Sequence, residues 1–264
     1  MKKNLSLVSI SFTIVFVVFV FITAHGNENK VKVLFVGNSL TSANNLPKMV
    51  ADISRSHGYK IIYDFHTPGG ARLANHASNP IVLRKIQSES WDFVVFQEQS
   101  QYPGFSKRQL ARDVFPHARR LTEMVRNANP RSDVVFYMTM ARRNGDPANK
   151  NVSPELLTYE GMQDRVNRCY LEMGKRNNGL IAPVGAVWRL VRDEKPDLQL
   201  YRDNVHPNIY GTYLAACVFF TTLWGESSTG STIPEGVDRA SALYIQEIAD
   251  RTVLEQIQEW DWRQ

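Results

Sequence analysis

Five short β-type runs alternate along this chain with amphipathic helical segments, and that alternation leaves few folds open. The runs are Lys32 to Val36, Lys60 to His66, Phe93 to Phe96, Asp133 to Tyr137 and Leu180 to Ala182. Between and after them the spacing predicts helices over Leu46 to Ser56, Pro80 to Ser88 and Lys107 to Asn127. A further helix is expected to start with Ser153 as cap and Pro154 at its first position, and to run to about Asn177. Helices over Val184 to Arg192, Ile209 to Leu223 and Arg239 to Glu259 complete the pattern, with a polar surface loop from Gly225 to Gly236. Such alternation, with right-handed crossovers, predicts an α/β fold: a three-layer α/β/α sandwich around a flavodoxin-like parallel five-stranded sheet of order 2-1-3-4-5. Its switch point lies between the first and third strands, so the loops after Val36 and Phe96 are expected to face each other across a site.

The first 26 residues are of a different kind. Met1-Lys2-Lys3 is a positive start, Leu5 to Ala24 is an almost uncharged apolar stretch, and Ala24-His25-Gly26 fits a small-x-small cleavage site. Residues 1–26 therefore read as a secretory signal, or, since the stretch is near bilayer length, as an uncleaved membrane anchor. Either way Lys2 and Lys3 stay inside and the rest of the chain is expected outside the cytoplasm, secreted or periplasmic. Residues 27–264, with 43% hydrophobic and 22% charged residues in the whole chain, suffice for one domain with a substantial core. The net charge of +5 is spread without a basic run or zinc-type Cys/His spacing, which disfavours nucleic acid as a partner. Cys169 and Cys217 both sit in helical apolar patterns, as small core residues do, although one bridge stays open on sequence alone.

Four strand-end loops carry the residues able to do chemistry. Val33-Leu34-Phe35-Val36-Gly37-Asn38-Ser39-Leu40-Thr41 is a buried strand that ends in a glycine and a small polar turn, which presents the Ser39 hydroxyl and free backbone N–H groups at the carboxyl edge of the sheet. The same turn is also a common way to start a helix. The second loop is Thr67-Pro68-Gly69-Gly70-Ala71-Arg72, and the third is Gln97-Glu98-Gln99-Ser100-Gln101. In the fourth, Arg202 to Asn208, Asp203 and His206 are three apart and stiffened by Pro207, so the carboxylate reaches one imidazole nitrogen while the other points away. A serine nucleophile needs such a base, an acid to hold its tautomer, and N–H donors for the oxyanion.

Taken in order, Gly37-Asn38-Ser39-Leu40-Thr41, a glycine after the second strand, an amide-bearing loop after the third and Asp203-x-x-His206 resemble the four blocks of the SGNH, or GDSL-type, hydrolase superfamily. The resemblance spans most of residues 27–264, with strong identity confined to the first and last blocks. It implies hydrolysis of small-molecule or glycan esters, with no metal and no cofactor, by Ser39 as nucleophile, His206 as base and acid, and Asp203 as orienting carboxylate. It further implies an oxyanion hole from the Ser39 N–H, a glycine N–H, best matched by Gly70, and a side-chain amide.

The chain departs from the superfamily's pattern twice. Asn38 stands where aspartate is usual, and a turn-forming asparagine can hold the same backbone. Gln97-Glu98-Gln99-Ser100 stands where Gly-x-Asn-Asp is expected, so the amide donor is Gln99, one methylene longer than asparagine, or else Gln97 at the strand end. The altered block motivates a second reading, a catalytically inactive glycan-binding protein on the same fold. His66, His76 and His117 lack ligand spacing, Arg72 reads as a surface residue, and Trp260 and Trp262 read as core anchors at a helix end.

Overall fold

The computed structural model describes residues 30–263, and the 1–26 segment read as a signal or anchor lies outside them. Five parallel strands, β1 (Lys30–Val36), β2 (Lys60–His66), β3 (Phe93–Phe96), β4 (Asp133–Tyr137) and β5 (Leu180–Ala182), form one sheet of order β2-β1-β3-β4-β5. This is the expected α/β sandwich. Val36 pairs with His66 on one side and Phe96 on the other, so the loops after β2 and β3 flank the turn that follows β1.

The layers follow from which residues each strand buries. Phe35 and Tyr137 point to one face and meet the Phe219 ring edge-on at 5.8 and 5.1 Å. Phe219 belongs to the helix Ile209–Trp224, apolar nearly all round and accordingly buried between neighbours, as such helices must be. Leu46–Ser56 and Arg239–Leu254 pack beside it. On the opposite side Pro80–Ser88, Phe115–Ala128 and Tyr159–Arg176 pack in succession. Gly211 lets the Ile209–Trp224 helix begin close to the preceding loop: a methyl there would sit 2.4 Å from both the Leu200 carbonyl oxygen and the Trp188 ring.

Three helices differ from the sequence reading, each for a local reason. The expected helix Lys107 to Asn127 is two, Lys107–Asp113 and Phe115–Ala128, hinged at Val114. Pro116 lies in the first turn of the second, where its missing N–H costs nothing, whereas inside a continuous helix its ring would clash one turn back. Ser153 does not cap the next helix; its hydroxyl donates to Glu155 at 3.0 Å, Pro154–Leu157 forms a single 3-10 turn, and Thr158 caps Tyr159–Arg176 by accepting the Gly161 N–H at 3.1 Å. The expected helix Arg239 to Glu259 stops at Leu254, and a separate short turn, Ile257–Trp260, follows, so that the buried Trp260 donates its indole N–H to the Thr252 carbonyl at 2.9 Å. Cys169 and Cys217 are both free and buried, and burial pushes the Cys217 thiol up to about 12. The 225–236 loop is tied down by Asp250, whose carboxylate takes the Ser227 hydroxyl at 2.6 Å and the buried Ser228 N–H at 2.7 Å.

Candidate active site

The turn after β1 is built for close approach. Asn38 leaves the strand in extended conformation and caps one helical turn, Ser39–Ser42, by accepting the Leu40 N–H on Oδ1 at 3.1 Å. Ser39 is thus the first helical residue, and its own N–H has no intrahelical acceptor. Asn38 Nδ2 donates to the Ala71 carbonyl at 2.9 Å, which joins the first loop to the second. The Asn38 carboxamide therefore shapes the backbone of two loops.

Gln97 lies beneath this turn, fully buried. Its Oε1 accepts the Asn38 N–H at 2.8 Å and the Thr41 hydroxyl at 3.0 Å, and its Nε2 donates to the Glu98 carbonyl. Gln97 thus braces the nucleophile turn from below through its oxygen, with one Nε2 N–H given to the Glu98 carbonyl. Gly37 is obligatory in this arrangement, because a Cβ would stand 2.3 Å from Thr41 Oγ1 and 2.6 Å from Gln97 Oε1. His76, which sequence spacing had set aside, is fully buried against the same turn with Nε2 2.9 Å from the Gly37 carbonyl oxygen. Burial pushes its pKa down to about 4, so the neutral ring donates from Nε2.

The second loop turns over Pro68 to Ala71, whose N–H reaches back to the Pro68 carbonyl at 3.2 Å. Gly70 takes φ +69 with open space around it, so backbone conformation rather than crowding demands glycine. Arg72 does have a partner: its guanidinium stacks 4.7 Å over the Tyr102 ring and donates to the Tyr102 hydroxyl. Glu98, fully buried, ties the second loop to the third, since its Oε1 accepts the Gln99 N–H at 2.7 Å and the Leu73 N–H at 3.3 Å. Burial pushes its carboxyl up to about 8, against those two N–H groups and the charge of Arg72. Gln99 remains half-buried in the loop, with its side chain hydrogen-bonded to Gln101.

The fourth loop delivers the imidazole. Arg202 N–H reaches the His206 carbonyl at 2.9 Å, and Asn208 caps the Ile209–Trp224 helix by accepting the Gly211 N–H at 3.0 Å. Asn204 secures the outside of the loop by accepting the Arg143 and Asn144 N–H groups at 2.9 and 3.1 Å. Asn44, beside the nucleophile turn, donates to the Pro207 carbonyl of this loop at 3.4 Å and to the Thr212 hydroxyl of the helix after it at 2.8 Å. Both Asn44 and Asn45 adopt left-handed conformations, which asparagine tolerates better than most residues.

The consequence is a three-residue line of hydrogen bonds. Ser39 Oγ lies 3.0 Å from His206 Nε2, and His206 Nδ1 lies 3.0 Å from Asp203 Oδ2. Asp203 Oδ1 also accepts the N–H groups of Val205 and His206, each at 2.7 Å. Desolvation works to raise the Asp203 carboxyl, but these two N–H bonds and the imidazole outweigh it and hold the group far below the usual carboxylate range. It is therefore an anion at neutral pH, able to fix the imidazole proton on Nδ1 and leave Nε2 to accept from Ser39. The Asp203 and His206 side chains keep 46% and 27% of their surface exposed, so the line opens on solvent. A cavity of about 840 Å³ lies elsewhere, between Lys107–Asp113 and Tyr159–Arg176 and against Trp262. Among the described residues no group of three or more His, Cys, Asp or Glu side chains is arranged to hold a metal ion.

The sequence matches no protein-family model, and no curated protein matches it. Solved structures do match. A DUF4886 family protein from Bacteroides uniformis superposes with a TM-score of 0.73 at 19% identity, over 85% of this chain and 95% of that one. A candidate SGNH hydrolase from Slackia heliotrinireducens gives 0.60 at 28% identity, over 74% and 100%. A catalytic mutant of an acetylxylan esterase from Geobacillus stearothermophilus gives 0.52 at 14% identity, over 77% and 97%. The superfamily that the sequence blocks resemble is thus the one whose structures this fold matches.

Proposed function

We propose that this chain is an exported serine esterase of SGNH type that hydrolyses carboxylic esters, with acetylated carbohydrate as its substrate class. The observation that carries the reading is the line Ser39 Oγ, His206 Nε2, His206 Nδ1, Asp203, with 3.0 Å at each step.

The chemistry follows from that line. Ser39 Oγ attacks the ester carbonyl carbon while its proton passes to His206 Nε2, and the carbonyl electron pair moves onto oxygen. The oxyanion is held by the Ser39 and Gly70 N–H groups and by the Gln99 side-chain amide. Collapse expels the alcohol, which takes the proton from His206 Nε2, and leaves an acyl group on Ser39. Water, deprotonated by the same nitrogen, then attacks the acyl carbon and releases the carboxylic acid, returning the proton to Ser39. Asp203 stays ionised throughout and stabilises the imidazolium.

The substrate class draws support from the exposed setting of Asp203 and His206, which leaves room for a bulky alcohol, and from the acetylxylan esterase among the structural neighbours. Export rests on the Lys2-Lys3 start and the apolar stretch after it.

The test is acetate release from p-nitrophenyl acetate and from acetylated xylo-oligosaccharides, with fluorophosphonate labelling read by mass spectrometry. Label is expected on Ser39 and activity is expected to vanish in Ser39→Ala. Full activity in that variant would end the mechanism, saccharide binding without turnover or label would favour the glycan-binding reading, and preference for long-chain acyl esters would remove the substrate class. Export is checked by N-terminal sequencing of the protein from culture medium or periplasm; a chain found only in the cytoplasm overturns it.

A further inference from the structure

The loop after β3 belongs to a chain of hydrogen bonds whose far end is a buried charge. Asp146, 1% exposed, is paired with Arg142 Nη1 at 3.2 Å and accepts the Asn149 side-chain N–H at 2.7 Å. Gln101 Nε2 lies 3.0 Å from its Oδ2. A carboxylate paired with arginine only accepts, so Gln101 must turn its NH2 towards Asp146 and its carbonyl oxygen away. That oxygen lies 3.0 Å from Gln99 Nε2 and can only accept in its turn. The Gln99 NH2 therefore faces Gln101, and its Oε1 takes the Gln101 backbone N–H at 2.8 Å.

Each amide in this series has one orientation: Asp146 fixes that of Gln101, and the Gln101 side-chain oxygen and backbone N–H together fix that of Gln99. One N–H of Gln99 Nε2 is used by Gln101, and among the described residues none accepts the other. Glu98 meanwhile holds the Gln99 backbone N–H at 2.7 Å. Both ends of Gln99 are fixed, and one donor is left over.

We propose that Gln101 and Asp146 are positioning residues that set the Gln99 amide as the third oxyanion donor. The inference rests on the esterase reading and deepens it. Glutamine has one more rotatable bond than the asparagine expected here, and an oxyanion donor is effective only when its place is fixed before the charge forms. The Asp146–Gln101 relay removes the extra freedom, and Arg142 and Asn149 hold the relay in place.

The experiment is steady-state kinetics of the full chain on p-nitrophenyl acetate with variants at both glutamines. Gln99→Ala is expected to lower kcat by about a hundredfold. Gln101→Met, which keeps side-chain length and removes both polar atoms, should lower kcat by about tenfold with KM nearly unchanged, and Gln101→Ala should do the same. In a Gln99→Ala background Gln101→Met should cost nothing further, because it acts only through Gln99; a merely structural residue would not show this. Effects that multiply in the double variant, or wild-type kcat in Gln101→Met, overturn the relay, as does wild-type kcat in Gln99→Ala. None of these touches the esterase reading, which falls if Ser39→Ala stays active or if the parent chain shows neither turnover nor label.

Discussion

The nucleophile turn and the acid-base loop use the same local device in opposite surroundings. In each, a short polar side chain accepts backbone N–H groups just ahead of it: Asn38 Oδ1 from Leu40, and Asp203 Oδ1 from Val205 and His206. The first is sealed, with Asn38, Leu40 and Thr41 buried over the equally buried Gln97 and His76. The second lies open, with Arg202, Asp203 and Asn204 exposed. Burial makes every partner of the first turn necessary to the fold, since an unpaired buried donor costs about 1–3 kcal/mol. Exposure leaves the second loop free to be altered at little cost to the fold, so damage there should fall on chemistry alone.

The largest effect that tests this contrast is expected at Asp203. In Asp203→Asn the Oδ1 still accepts the two backbone N–H groups, so the loop keeps its shape, but an amide N–H now faces His206 Nδ1. The imidazole must then carry its proton on Nε2, towards Ser39, where it can no longer act as base. A fall in kcat of about 10²–10⁴ is expected, with the thermal unfolding midpoint almost unmoved. Comparable loss of stability and of rate would break the distinction between the two loops.

The sealed turn predicts the reverse balance. Gly37→Ala forces a methyl against Thr41 Oγ1 and Gln97 Oε1, and should cost about 1–3 kcal/mol in urea unfolding besides lowering activity. Gly69→Ala, where a Cβ meets nothing within 4 Å, is the control and should be nearly neutral. Equal stability of the two variants would mean that the turn is looser than its contacts imply.

The same contrast governs what the sequence could disclose. The strands were legible because their apolar runs are continuous, and the Ser39, Asp203 and His206 positions because short motifs carry their own geometry. Pro116 also stood in plain view as a break, and only the unbroken amphipathic pattern from Lys107 concealed it. What could not be read was burial of single polar residues. Glu98 in a run of amides, and His76 without ligand spacing, look like surface residues until β1 and β3 bring the loops together over them. The bond from Gln101 to Asp146 spans 45 positions and has no local signature. Gln99, with Gln97 as its alternative, stood as the amide donor, and the sequence could not show that Gln97 is fully buried beneath the nucleophile turn while Gln99 is half-buried in the loop.

Glu98 offers the sharpest probe of the sealed side. Its folded-state pKa is raised from 4.5 to about 8, chiefly by burial, so between those values the folded chain keeps a proton that the unfolded chain has lost. Its stabilising contribution is therefore complete below the unfolded value and lost as pH rises through the folded one, by about 1.4 kcal/mol for each pH unit in between. Glu98→Gln keeps an oxygen for the Gln99 and Leu73 N–H groups and cannot ionise. Urea unfolding from pH 5 to pH 9 should show the parent chain losing stability relative to the variant as pH rises. Parallel curves would mean that Glu98 meets water in the folded state, and that the floor beneath the third loop is as open as the loop carrying Asp203.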